Sequence, residues 1–112
     1  DWDGKTVEFE NAKAGIASIE TAYAAVQHVM QKLAPEKIAL LFSNNARSIF
    51  NLSNATIQDG AEAELTIFTN KKSTCLNLKD SKSKSANSPF WDISLNGKII
   101  ATYAKGIVNI NA

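Results

Sequence analysis

Few side chains in this 112-residue sequence are of the types that do acid–base chemistry, and none is grouped with a partner. His28 is the single histidine, and helical spacing places it opposite the apolar seam of its predicted helix, where it would be solvated. Glu62 and Glu64 would share one face of a strand, but they follow Gly60 at an edge where acidic residues commonly add solubility. Asp92 has no marked partner. We therefore expect no catalytic residues.

Motifs for metal, phosphate or nucleophilic chemistry are also missing from the sequence. Cys75 is the only cysteine, so it predicts neither an intramolecular disulfide nor a cysteine-rich zinc site, and we interpret it as a packed thiol. The five glycines are scattered, and there is no G-x-S-x-G, no H-E-x-x-H and no glycine-rich phosphate loop. The sequence therefore predicts no enzyme, no cofactor and no metal.

The charge balance argues against a dedicated nucleic-acid partner. Twelve Lys and Arg face eleven Asp and Glu, giving a net charge of +1, whereas nucleic-acid binding usually relies on clustered cations. Five lysines near one predicted hairpin end and the following loop form a possible interaction surface for an anionic partner. They are Lys71, Lys72, Lys79, Lys82 and Lys84. The alternative is a simply solvated loop.

The longest regular pattern is helical. From Asn11, a possible N-cap, to about Leu33 the chain is Ala-rich and free of proline. Its larger apolar residues recur at alternating spacings of three and four: Ile16, Ile19, Tyr23, Val26, Met30 and Leu33. This pattern predicts an amphipathic helix of about six turns with one face to bury.

Proline at position 35 ends that helix and can start another. Residues 38–42 fit either a helix or a buried strand, and we favour a short helix ending at residues 43–45. Residues 48–57 look like β structure, and residues 64–69 and 74–78 suggest a hairpin around Asn70–Ser73.

The last third of the chain carries further β signals. Residues 79–89 are Lys, Ser and Asn with almost nothing apolar, which indicates an exposed, mobile loop. Trp91, Ile93 and Leu95 alternate before Asn96-Gly97, a favoured two-residue turn, and residues 99–103 would return. Gly106 separates a final strand at residues 107–110.

Together these elements predict a single α+β domain over residues 1–112, with the long N-terminal amphipathic helix packed on an antiparallel sheet of four to five strands. Residues 1–10 are interpreted as a leader, a tag or a short strand over Thr6–Glu10. No run of about twenty apolar residues is present that could cross a bilayer.

Residues 12–23, an Ala-rich stretch that reads AKAGIASIETAY, resemble the soluble half of the N-terminal helix in type IV pilins and type II secretion pseudopilins. The resemblance implies a helix followed by an antiparallel sheet. It also implies a non-catalytic filament subunit that assembles with protein partners and meets the membrane only through a missing N-terminal segment. Such a subunit would be extracellular or on the cell surface, whereas the rest of the sequence leaves localisation open.

The alternative hypothesis is a small ligand- or protein-binding domain whose helix and curved sheet enclose a pocket, as in folds of the cystatin or nuclear-transport-factor type. Its possible ligand lining would be aromatic. The candidates are Tyr23, Phe42, Phe50, Phe68, Trp91 and Tyr103. Aromatic residues in a domain of this size also commonly form plain core.

Overall fold

The computed structural model describes residues 3–12 and 14–111, in which short helices precede a three-stranded sheet. A 3-10 turn at Phe9–Asn11 is followed by α1 (Ala22–Val29), α2 (Pro35–Ala39), a π-helical turn (Leu40–Asn44) and α3 (Asn45–Ile49). The strands are β1 (Leu65–Thr74), β2 (Leu95–Ala104) and β3 (Ile107–Ile110). They are antiparallel, in the order β1-β2-β3.

The predicted six-turn helix is wrong, because within residues 11–33 the only α-helix among the described residues is Ala22–Val29. Gly15 has a φ of 88°, which is incompatible with an α-helix, and the Ala17 amide donates to the Asn87 carbonyl at 2.7 Å instead of to its own turn. At the other end, Lys32 has a φ of 68°. Lys13, also part of the predicted helix, lies outside the described residues.

The helix predicted after Pro35 is confirmed, and it continues further than expected. Pro35 occupies the first turn, where its missing N–H costs nothing. Right-handed helical dihedrals at Ala39, Leu40, Asn44 and Asn45 join α2, the π-helical turn and α3 into one helical run over residues 35–49. The strand predicted from residue 48 is therefore wrong, and residues 52–64 carry no strand.

Two predicted hairpins are instead continuous strands. β1 passes straight through Asn70–Ser73, where its register against β2 shifts between Thr69 and Ser73. β2 passes straight through Asn96-Gly97. Gly97 is required there for a different reason: an added Cβ would lie 3.0 Å from Tyr23 Cε1 and 3.1 Å from the Gln27 side chain. The glycine thus allows α1 to lie directly on β2.

The final strand is confirmed. Lys105 and Gly106 both have positive φ, 50° and 76°, and form the tight turn that returns β2 into β3. The predicted long N-terminal helix and sheet of four to five strands are nevertheless wrong, since the described residues form short helices and three strands. The possible strand over Thr6–Glu10 is likewise not formed.

The buried core is small for a chain of this length. Within residues 3–12 and 14–111, its apolar members are four side chains, from α1, α2 and β2: Tyr23, Ala24, Ile38 and Leu95. The accessible surface is 8894 Å², whereas a compact protein of 12.1 kDa exposes about 6,000 Å². The radius of gyration is 16.3 Å, against about 13 Å for a compact chain of this length. Much of the apolar surface is therefore uncovered.

Exposed apolar side chains are spread over several elements rather than gathered in one patch. Ile19 before α1, Ile49 at the end of α3, Ile57 in the following loop and Ile110 on β3 are all at least 75% exposed. Among the described residues, no helix has both the length and the apolar character needed to cross a membrane.

The packing of α1 on β2 gives a first test. We expect Gly97→Ala to lower the free energy of unfolding by about 2–4 kcal/mol, because alanine is strained at this positive φ and its Cβ would lie only 3.0–3.1 Å from Tyr23 and Gln27. Gly60 is the matched control, since its φ is 83° and nothing lies within 4 Å of an added Cβ. Urea denaturation would compare both variants; equal losses for Gly97→Ala and Gly60→Ala would contradict the close approach.

Candidate functional site: an apolar cleft beside Tyr23

A large cleft lies where α1, the helical run 35–49, β1 and β2 meet. It has a volume of about 720 Å³, which is within the range of small-molecule and side-chain binding pockets. Tyr23 comes from α1, Ile38 and Phe42 from the helical run, and Phe68 and Tyr103 from the sheet. The cleft therefore depends on all of these elements being in place.

The structure brings together four of the six aromatic residues that the sequence suggested as a ligand lining. Tyr23, Phe42, Phe68 and Tyr103 line the cleft. Phe50 follows α3 and is 73% exposed, and it is not among the lining residues. Trp91 lies on another part of the molecule, where its indole N–H donates to the Ala86 carbonyl at 2.7 Å.

Tyr23 is the central side chain of the cleft. Its ring centroid lies 5.1 Å from that of Phe68 and 6.5 Å from that of Phe42, both at inclined angles that aromatic pairs favour. Its hydroxyl is buried and has no hydrogen-bond partner among the described residues. Burial raises the pKa of Tyr23 above its ordinary value, because the phenolate would lose hydration. The neutral phenol is thus the form that the fold favours.

Arg47 fixes the rim of the cleft. Its guanidinium donates to the Ser43 hydroxyl at 3.3 Å, to the Ser53 carbonyl at 2.9 Å and to Glu64 Oε2 at 3.1 Å. These bonds tie the helical run to the loop that follows and to the residue before β1. The ion pair is partly exposed, so it contributes little to the free energy of folding. Its main effect is to hold the two segments in position. Sequence reasoning missed this role, although Arg47 is the sole arginine.

Besides Tyr23 and Tyr103, the cleft lining includes polar side chains from the helical run and the sheet side: Ser43, Arg47, Glu64, Thr66 and Thr102. Within the described residues, no group of three or more His, Cys, Asp or Glu side chains is arranged to hold a metal ion. His28 is exposed, as its helical position predicted, and its Nδ1 accepts a 3.4 Å hydrogen bond from the Asn96 amide. Cys75 is also exposed, so the interpretation of a packed thiol is wrong.

Glu20 holds the serine-rich loop against the segment that leads into α1. The Ser81 hydroxyl donates to Glu20 Oε2 at 2.6 Å, and the amides of Lys82 and Ser83 donate to the same carboxylate at 3.0 and 3.3 Å. The Asn87 side chain adds a 2.9 Å bond to the Gly15 carbonyl. The loop that the sequence predicted to be mobile is therefore hydrogen-bonded to a distant part of the chain.

These hydrogen bonds also set the charge state of Glu20. The Ser81 hydroxyl, and after it the Lys82 amide, lower the pKa of Glu20 because they stabilise the carboxylate form. The hydrogen bonds that Glu20 accepts from Ser81, Lys82 and Ser83, here called the Glu20 clamp, are thus made to the ionised side chain.

The five lysines suggested as an interaction surface are all exposed. Lys71 and Lys72 lie on β1 at its register shift, where charged side chains protect a sheet edge from pairing. Lys79, Lys82 and Lys84 lie in the loop that Glu20 holds. An anionic partner for this surface stays a prediction.

Comparison with known proteins gives consistent matches along nearly the whole chain. It is 32% identical over 104 residues to the dihydroorotase of Syntrophus aciditrophicus (strain SB), covering 91% of this chain and 24% of that protein. It is 32% identical over 107 residues to the dihydroorotase of Aquifex aeolicus (strain VF5), covering 94% and 25%. With the dihydroorotase of Elusimicrobium minutum (strain Pei191), it shares 34% identity over 105 residues, covering 91% and 24%. No family model matches the chain.

The chain therefore spans about a quarter of the length of the curated relatives that it matches. These matches overturn the resemblance to pilins, because they cover most of the chain whereas that resemblance rested on residues 12–23, and Gly15 interrupts the helix there. The prediction of a non-catalytic, secreted filament subunit at the cell surface is wrong. The matches also give no support to its alternative, a small binding domain. The prediction of no enzyme is also contradicted, since the relatives are named as enzymes.

The buried phenol of Tyr23 gives a test by pH. Because its folded-state pKa is raised, the unfolded chain loses this proton first as the pH rises past about 10. Stability should be complete below that pH and fall above it. We expect Tyr23→Phe to remove part of this alkaline loss, measured as the free energy of unfolding in urea from pH 8 to 11. An unchanged pH profile would show that the hydroxyl is hydrated in the folded protein.

The Glu20 clamp gives a second test. The folded-state pKa is lowered, so the clamp is complete above about pH 4.5 and weakens as the pH falls through the folded-state value. We expect Glu20→Gln at neutral pH to speed hydrogen exchange at the Lys82 and Ser83 amides several-fold. Glu62→Gln serves as the control, in the exposed loop before β1. Equal exchange in wild type and Glu20→Gln would contradict the clamp.

Proposed function

We propose that this chain acts as part of a dihydroorotase-type metabolic enzyme, whose complete form acts on dihydroorotate. The observation that carries the proposal is the match of 91–94% of the chain, at 32–34% identity, to proteins named dihydroorotase from three bacteria. Alignment over nearly the full length supports a shared ancestry of this portion rather than of one helix or hairpin.

The uncovered apolar surface supports the same proposal. An independent domain of this mass would bury most of its large apolar side chains, whereas here they remain exposed on the helical run, the loop after it and the sheet. The relatives are about four times as long as the matched portion. Additional polypeptide of that size would cover these surfaces.

Within such an enzyme, the contribution of this chain is to bind and position. Tyr23, Phe42 and Phe68 present aromatic surface in the cleft, and the ion pair between Arg47 and Glu64 holds its rim. A group inserted there gains burial of its apolar atoms. The cleft thus offers a rigid wall against which another part of the enzyme, or its substrate, can be placed.

The proposal is tested with the protein encoded by the complete reading frame that contains residues 1–112. We expect this protein to convert dihydroorotate. The conversion is measured by chromatographic separation of substrate and product. The dihydroorotase of Aquifex aeolicus, assayed in parallel, is the positive control. A complete protein that is folded by circular dichroism yet leaves dihydroorotate unchanged would overturn the proposed function.

A further inference from the structure

A second cleft lies between α1 and the end of β1, and Tyr23 lines both clefts. Its volume is about 390 Å³, at the small end of the range for small-molecule sites. It lies beside an irregular part of the sheet. Between the pairs Thr69↔Lys98 and Ser73↔Asn96, β1 advances four residues and β2 only two. The two extra residues of β1 form a bulge, which bends the strand away from regular pairing.

This cleft combines apolar and polar surface. Ile19, Ala24 and Ile99 contribute apolar side chains, whereas Ser73 and Lys98 contribute a hydroxyl and an ammonium group. Lys98 already takes part in another interaction within the chain. Because an ammonium group has three donor hydrogens, it can serve a ligand in addition to that interaction. The hydroxyl and the ammonium group together suit the oxygen atoms of an anion.

The charges around this cleft also favour an anion. Glu20 is the only carboxylate among the described lining residues, and it already accepts the three hydrogen bonds of the Glu20 clamp. The Lys82 ammonium interacts electrostatically with the same carboxylate. Lys98 in the lining and Lys72 in the bulge add further positive charge. The balance suits one negative charge on the ligand, because a second one would be repelled by Glu20.

We propose that this cleft binds a small monocarboxylate with an apolar body. The carboxylate lies at Lys98 and Ser73, and the apolar body lies against Ile19 and Ile99, where burial of its apolar atoms stabilises the complex. A dianion such as inorganic phosphate is disfavoured by Glu20. This site goes beyond the proposed function and does not depend on it, since the residues that form it all belong to this chain.

Cys75 reports on the cleft, because it is exposed and belongs to the lining. Iodoacetate and iodoacetamide alkylate the same thiolate by displacing iodide, and only the first carries a carboxylate. The ratio of their two rates therefore cancels the thiolate fraction and measures attraction of the anion. In the complete protein, we expect this ratio at Cys75 to be about threefold or more higher in the native state than in urea. Mass spectrometry of the peptide that contains Cys75 gives both rates.

Two variants and a salt series identify the charge responsible. Lys98→Met removes the ammonium group and keeps an apolar stem, so the ratio should fall to its value in urea. Lys84→Met is the matched control, since Lys84 is exposed and is not a lining residue, and it should leave the ratio unchanged. Raising NaCl to about 0.5 M should lower the ratio in the native protein, because salt screens the attraction.

Competition identifies the class of ligand. Isovalerate is a monocarboxylate with an apolar body, and isovaleramide is its neutral counterpart. We expect isovalerate to slow the alkylation of Cys75 by iodoacetamide in the native protein. Isovaleramide and inorganic phosphate at the same concentration should leave this rate unchanged.

Several results would overturn the proposal. Equal reagent ratios in the native protein and in urea would show no attraction of the anion, and a ratio unchanged by Lys98→Met would remove its source. A thiol that reacts with neither reagent until urea is added would show that the cleft is covered in the complete protein. If Lys98→Met does not fold, the competition in the wild-type protein decides. Protection by isovaleramide or phosphate as strong as that by isovalerate contradicts a monocarboxylate site.

Discussion

The close packing of α1 on β2 at Gly97 is the contact on which the rest of the structure depends. Tyr23 and Gln27 lie so close to the glycine that an added Cβ would be 3.0–3.1 Å from their side chains, tighter than an ordinary van der Waals contact. This approach buries Tyr23, which then carries the aromatic contacts to Phe42 and Phe68 and forms one wall of the cleft. It also determines which part of the sheet α1 covers.

The sequence predicted some of these elements and misread others for identifiable reasons. Pro35 and Gly106 were informative because each acts locally, one by fixing φ at a helix start and the other by allowing a tight turn. Asn96-Gly97 carries the same local turn signal, yet the glycine is there for a contact with α1. Gly15 fitted the helical spacing, but its positive φ ends any helix. At both glycines the backbone conformation goes with tertiary contacts, and a local sequence pattern carries no information about such contacts.

The candidate site was likewise predicted only in part from the sequence. Aromatic residues were selected by type, and four of six line one cleft, because large apolar side chains collect where layers meet. The Glu20 clamp joins residues about sixty apart in the chain, so no spacing rule could indicate it.

We propose that residues 1–112 fold as an integral part of a larger dihydroorotase-type protein rather than as an autonomous domain. It is tested most directly by urea unfolding of the complete protein in a Trp2→Phe background, with every tryptophan outside residues 1–112 also replaced by Phe. Trp91 fluorescence then reports on this chain, and circular dichroism reports on the whole. The account predicts coincident transitions, because a shared interface couples the parts. A separate, reversible transition of Trp91 would contradict it.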